Sequence, residues 1–256
     1  MKRILTIYLA LFSTILLSQN TYIQCGKLID TKKGKVHSNK TIIVSKDRII
    51  DVKNGFITST DSGDTTIDLT NATVMPGFID MHVHIENEYD PKRYINEFTL
   101  NEADRAFNSL EYAEITLLAG FTTVRDLGGS GVNISLRDAI NEGKVIGPRI
   151  FTAGKAIGTT GGHADPTNGY KKVLQGDPGP KEGVINSIDD AKKAVRQRYK
   201  DGADNIKITA TGGVMSIAKN GQNPQFTLEE IKSICDTAKY YGMIIAAHAH
   251  GDEGIK

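Results

Sequence analysis

The spacing of apolar and polar positions changes near Thr73. Before it, short β-branched runs at 22–29, 41–45, 48–52 and 66–69 are divided by polar turns, and Lys46-Asp47 sits between two of them as a hairpin turn. After it, strand-like apolar segments recur at 74–84, 122–126, 149–153, 205–209 and 243–248, with helix-period segments between most of them. Helix boundary signals repeat as well. Thr99 with Glu102 and Thr227 with Glu230 have capping-box spacing, and Ser187 with Asp190 opens another helix. Gly120, Gly202 and Gly242 close these helices shortly before the next strand. A repeated βα unit builds a parallel sheet, and strands apolar through most of their length suit a sheet covered on both faces. Either a barrel or a doubly wound sheet satisfies this grammar.

One connection departs from the rhythm. Residues 154–186 form a long Gly- and Pro-containing stretch that includes Gly161-Gly162-His163-Ala164-Asp165-Pro166. It follows the carboxyl end of a strand, where (β/α) folds place their sites, and so reads as an active-site loop.

With 39% hydrophobic and 24% charged residues, the chain is globular rather than disordered. Lys plus Arg total 31 against 30 for Asp plus Glu, so no basic field points to nucleic acid. Lys2 and Arg3 precede a mostly apolar run from Ile4 to Leu17, shorter than the roughly 20 residues of a membrane span. Residues 1–18 therefore read as a cleaved secretory signal, giving an exported (periplasmic or secreted) protein with no stable membrane anchor after cleavage. Two Cys exclude a disulfide scaffold, and Cys235 reads as a core thiol on a stripe with Leu228, Ile231 and Ala238.

The histidines carry the candidate chemistry. In Asp80-Met81-His82-Val83-His84 the strand alternation sends His82 and His84 to one face at a strand's carboxyl end, a pairing suited to a transition metal such as zinc. Lys207 stands mid-strand in Asn205-Ile206-Lys207-Ile208-Thr209. Burial there requires an ion pair, a lowered pKa or a chemical modification, and the residues alone leave the three open. His248 and His250 share a face at a further strand end; His248 is the better ligand candidate, and His250 supports the site or touches substrate. His163 is either a substrate contact or a plain loop residue, and His37 is a solvated turn residue.

Taken together these segments resemble the metal-dependent amidohydrolase superfamily. The resemblance runs from about Tyr22 to Lys256 and is strongest over Met75-Pro76-Gly77-Phe78-Ile79-Asp80-Met81-His82-Val83-His84. Thr122-Thr123-Val124-Arg125-Asp126-Leu127-Gly128-Gly129, Gly147-Pro148-Arg149-Ile150, Ile206-Lys207-Ile208 and Ala246-Ala247-His248-Ala249-His250-Gly251 follow in the family's order. The most similar subgroup holds imidazolonepropionase-like proteins and Xaa-Pro or Xaa-Arg/Lys dipeptidases. The resemblance implies an α/β fold: a (β/α)8 TIM-type barrel, here incomplete with about five βα units, preceded by part of a small β-sandwich. The expected boundaries are 1–18 for the signal, 19–72 for the sandwich part and 73–256 for the barrel.

It also implies a divalent metal centre, with two zinc ions per complete site. His82, His84 and His248 would be ligands, together with Lys207 carbamylated by carbon dioxide; His163 and His250 stay candidate substrate contacts on the reading of the residues alone. Two cations about 3.5–4 Å apart would activate water for hydrolysis of an amide or other non-ester C–N bond in a small molecule or dipeptide. The family's later-strand histidine ligand and general-base aspartate are expected beyond Lys256, so no catalytic base is identified within the chain. Residues 74–256 fall short of the roughly 250 that a barrel takes, which predicts open sheet edges. The alternatives are a noncatalytic or vestigial metal-binding protein and, within enzymes, a cyclic-amide hydrolase or deaminase. A homo-oligomer remains open.

Overall fold

The computed structural model describes residues 19–214, 216–217 and 220–256. The leader expected at 1–18 lies outside the described residues, and among these no helix is long and apolar enough to cross a membrane. The chain divides into two compact units between Pro76 and Gly77.

The first unit is a four-stranded sheet of order β3-β2-β1-β4, built from β1 (Asn20–Asp30), β2 (Lys35–Ser45), β3 (Arg48–Asn54) and β4 (Thr65–Val74). β1 pairs antiparallel with β2 and parallel with β4. The Lys46-Asp47 turn forms as expected, with Lys46 in the left-handed region at φ 55°. Cys25, Ile42, Ile43 and Thr41 are its buried residues, and the Thr41 hydroxyl donates to the Gly55 carbonyl at 2.8 Å.

The second unit is mixed α/β with parallel strands. β5 (Phe78–Val83), β6 (Phe121–Asp126) and β7 (Arg149–Thr152) form one parallel sheet, and β8 (Asn205–Thr209) with β9 (Ile244–His248) another. The chain beyond β7 links the two: Ile157 N–H donates to the Lys207 carbonyl at 2.8 Å, and Thr209 N–H to the Ile157 carbonyl at 3.0 Å. The segment expected as one strand from 74 to 84 is interrupted at 75–77. Proline offers no amide hydrogen for a ladder, and a Cβ at Gly77 would come 2.2 Å from the Thr122 side chain.

The helices between these strands are α1 (Arg93–Thr99), α2 (Glu102–Leu118), α3 (Val132–Asn141), α4 (Lys172–Gln175), α5 (Ile188–Asp201) and α6 (Leu228–Tyr240), with a last turn α7 (Asp252–Ile255). Two of the expected starts form. Ser187 Oγ accepts from Asp190 N–H, and Thr227 with Glu230 closes a reciprocal capping box. The third is displaced: Asn101 and Asp104 cap α2, while Thr99 belongs to the end of α1 and donates its hydroxyl to the Ile95 carbonyl. The local hydrogen bond back into a preceding turn took Thr99 out of the capping role. Cys235 is also corrected. It is exposed: Ala238 is buried and Ile231 packs against the core, but the buried face of α6 runs through Glu230, Ser233, Ile234, Thr237 and Ala238 and leaves Cys235 and Leu228 outside.

Two apolar cores hold the layers. Ile157, Ile185, Val195, Ile206, Ile208 and Ile234 anchor the one between β8 and helices α5 and α6. Ile85, Ala113, Val124, Leu136 and Ile150 anchor the one beneath α2 and α3. Apolar side chains stay exposed on both flanking strands, Ile79 and Met81 on β5 and Ile244 on β9.

Candidate functional site

The candidate histidine pairs sit at the carboxyl ends of β5 and β9, and Lys207 lies in the middle of β8. His82 lies in β5 and His84 just past it, with ring centroids 5.4 Å apart. His84 Nδ1 is 2.8 Å from the Gly128 carbonyl. A carbonyl only accepts, so Nδ1 carries the proton and Nε2 keeps its lone pair free. Burial holds His82 below the ordinary imidazole range, helped by the positive charges of Lys207, His84, Arg125 and His248. His82 thus shares an electrostatic environment with Lys207 and His248.

Lys207 is central to β8, a strand buried along its whole length, and its side chain is only 4% exposed. The ion pair is not found: among the described residues no carboxylate or hydrogen-bond acceptor meets its ammonium. Burial and the neighbouring Arg125 guanidinium both push it below the usual lysine range. An amine so placed is disposed to lose its proton.

Three further imidazoles meet close to Lys207. His163 lies on His248 at 4.4 Å between centroids, and His248 meets His250 edge-on at 4.9 Å. His248 Nε2 is 2.9 Å from the Gly212 carbonyl and so carries its proton there, leaving Nδ1 free to coordinate. His163 is pushed down to about 4, first by burial and then by His248, Lys207, His250 and Arg93, and its Nδ1 is buried without a partner. The long loop that carries it is tied down by His163 N–H donating to Gln225 Oε1 at 2.8 Å. His37 is in the first unit, 3.6 Å from Asp30 and half-exposed.

The structure thus brings His82, His84, Lys207, His163, His248 and His250 to one end of the second unit. Sequence reasoning assigned no role to Arg125, which donates to the Met81 carbonyl at 2.8 Å and faces Lys207, nor to Glu86, Asp126 and Asn133, which are buried together behind His84. Their signal was charge without alternation. Asp126 ends an apolar strand, and Glu86 follows the histidine pair by two residues.

Among the described residues no three His, Cys, Asp or Glu side chains converge as a ready cation site. The candidate donors are the imidazoles of His82, His84, His248 and His250 and the buried amine of Lys207. That set suits a divalent metal once the amine becomes a carboxylate.

These imidazoles and the buried amine gather toward the carboxyl side of a parallel α/β unit, where such folds carry their sites. The amidohydrolase family model matches residues 73–256, and the chain belongs to that family. It is 31% identical to an ochratoxinase of Aspergillus niger over 257 aligned residues, which cover 92% of this chain and 51% of the relative. A crystal structure of a Xaa-Pro dipeptidase with methionine bound in its active site matches with 53% identity and a TM-score of 0.87, over 93% of this chain and 58% of that one. A prolidase solved with N-methylphosphonate-L-proline matches at 32% identity and TM-score 0.81, over 93% and 58%. The chain spans about half the length of the curated relatives it matches.

Proposed function

We propose that this chain supplies the metal-binding part of a hydrolase of amide or related C–N bonds, acting on dipeptides or comparable small molecules. The observation that carries this reading is Lys207, a buried amine without an anion, close enough to His82 and His248 to share their electrostatic environment. A neutral amine adds to carbon dioxide, forming an N–C bond and releasing one proton, so the buried ammonium is replaced by a carboxylate with two oxygen donors. His82, His84, His248 and the Lys207 carbamate would be the residues that hold the divalent metal. When bound, such ions polarise a carbonyl and lower the pKa of water.

The chain's own residues do the rest. Gly128 and Gly212 carbonyls hold His84 and His248 in the tautomers that leave one nitrogen free. His163, whose buried Nδ1 has no partner in the protein, would have an acceptor to offer to a group that reaches it. The barrel with about five βα units, the sandwich assignment of the first unit, export and oligomeric assembly belong to this same reading. The Xaa-Pro dipeptidase and prolidase similarities favour a dipeptide over a cyclic amide.

The test is carbon NMR of the purified chain equilibrated with zinc and 13C-bicarbonate. A carbamate carbon signal that disappears in Lys207→Ala is expected, together with loss of bound zinc. A wild-type chain that binds zinc fully without a carbamate signal overturns the Lys207 role. A panel of Xaa-Pro, Xaa-Arg and cyclic amide substrates, assayed with the full gene product, separates dipeptidase from cyclic-amide hydrolase. Full metal loading with no turnover on any of them would favour the noncatalytic metal-binding alternative.

A further inference from the structure

Behind His84 lies a buried polar group that the ligand set does not use. Asp126 and Asn133 are fully buried and Glu86 is 5% exposed. All three close on the loop between β6 and α3. Glu86 accepts from two main-chain amides there, Ser130 N–H through Oε2 and Asn133 N–H through Oε1, each at 2.8 Å. Asp126 accepts from Gly128 N–H through Oδ1 at 3.3 Å and from the Asn133 side-chain amide through Oδ2 at 3.1 Å. Gly129 N–H donates to the Gly154 carbonyl at 2.9 Å, and Leu127 N–H to the Val83 carbonyl at 3.0 Å.

The loop is shaped to fit between these groups. Gly128 has φ 136°, a conformation reserved for glycine. A Cβ on Gly129 would fall 2.5 Å from Glu86 Oε1 and 2.7 Å from Asn133 Nδ2, so the carboxylate and amide press against bare backbone. The outcome of this clamp is the direction of one peptide: the Gly128 carbonyl, which accepts from His84 Nδ1.

We infer that Glu86, Asn133 and Asp126 form a positioning device for His84, holding the Gly128 carbonyl where it keeps the imidazole in its Nδ1–H tautomer with Nε2 facing the site. The proposal rests on the metal-centre reading for its purpose, though not for its geometry. A hydrogen bond that orients a coordinating histidine typically changes metal affinity by roughly 10–100-fold when lost. The chemistry explains why these residue types are needed. A glutamate offers two acceptors to two diverging amides. A glutamine would turn an N–H2 toward one of them, and an alanine at 133 would leave Asp126 without its side-chain partner.

The test compares the wild-type chain with Glu86→Gln and Asn133→Ala by two readouts. The first is the His84 tautomer from long-range 1H–15N NMR without metal, the signal being assigned by its loss in His84→Gln. The second is Co2+ affinity followed by the visible absorption of the bound ion. Wild type is expected as the Nδ1–H form; each variant is expected to show mixed tautomers and a roughly 10–100-fold weaker Co2+ affinity. Circular dichroism establishes that a variant is folded, and if Asn133→Ala is not, Glu86→Gln carries the test with the backbone amide of residue 133 intact. Folded variants with the wild-type tautomer and Co2+ affinity overturn the inference, as does a wild-type chain in the Nε2–H form. A wild-type tautomer lost in the variants, with no Co2+ bound by any of them, upholds the positioning geometry and overturns the metal-centre reading.

Discussion

His163 lies on His248 with ring planes 22° from parallel, although 85 residues of chain separate them. The stack is closed from one side by Gly213, where an added Cβ would sit 2.5 Å from His163 Cε1 and within 3.0 Å of both ring nitrogens. The ring has nowhere simple to go, because His248 faces it and its backbone is held by Gln225. Gly213→Ala is therefore expected to displace His163 and lower kcat/KM of the metal-loaded full gene product by roughly 100-fold. Steady-state kinetics together with a thermal midpoint check this. Unchanged kcat/KM in the folded variant would remove His163 from the site.

Lys207 carries a conflict between stability and function. A buried cation without a partner costs folding free energy, while the same amine is what would become a metal ligand. Lys207→Met keeps the length of the side chain and removes the charge. Without metal, the variant is expected to be more stable by about 1–3 kcal/mol, while its bound zinc falls. Urea denaturation in chelator and metal analysis by emission spectroscopy measure the two effects. A metal-free variant less stable than wild type would mean that Lys207 has a stabilising partner.

Asp126 gives the protein a pH dependence of definite sign. Burial raises its carboxyl to about 7, with Glu86 adding to the rise, while Asn133, Gly128 and the Ile85 backbone oppose it. The unfolded chain titrates near the ordinary aspartate value, so the folded protein binds the extra proton between about pH 4 and 7. The resulting stability is full below the lower value and is lost as pH rises through the upper one, at up to about 1.4 kcal/mol per pH unit. Asp126→Asn removes this contribution. Urea midpoints of wild type and variant, taken at pH 5 and pH 8, should show the wild-type advantage shrinking at the higher pH; a constant difference would mean that Asp126 does not change protonation on folding in this range.

Much of this site was legible in the sequence because strand alternation is rigid. His82 with His84 and His248 with His250 end with ring centroids 5.4 and 4.9 Å apart, as two-residue alternation predicts, although the second member of each pair lies just past its strand. The capping boxes were less secure. Thr227 with Glu230 formed, while Thr99 with Glu102 did not, because the same hydroxyl had an acceptor in the turn behind it. What spacing could not supply was partnership across the chain. Nothing near Glu86 in sequence says that its acceptors serve amides 44 and 47 residues away, or that Lys207 would find no anion. Cys235 failed for a related reason: a stripe of three apolar residues left the edge of the buried face of α6 undecided, and the neighbours settled it.

Arg198 controls how the long loop is held, and hence where His163 stands. It is 1% exposed on the inner face of α5, beside Ala191, Ala194 and Val195. Its guanidinium donates to the Lys155 carbonyl at 2.8 Å, to Lys181 at 3.2 Å and to Pro180 at 3.4 Å, with Asp201 at 3.4 Å balancing the charge. The two ends of the 154–186 connection are thus pinned by one side chain. Arg198→Lys keeps the charge but replaces a planar fork by a single ammonium, which cannot meet carbonyls spread over both ends. Losing two of these bonds in a buried place is expected to cost about 2–3 kcal/mol and to loosen the loop. Trypsin then has better access to Lys171 and Lys172, which lie exposed at its middle. A lower urea midpoint with faster cleavage there is the expected pair of results. Cleavage at the wild-type rate despite a lowered midpoint would mean that Arg198 stabilises α5 without anchoring the loop.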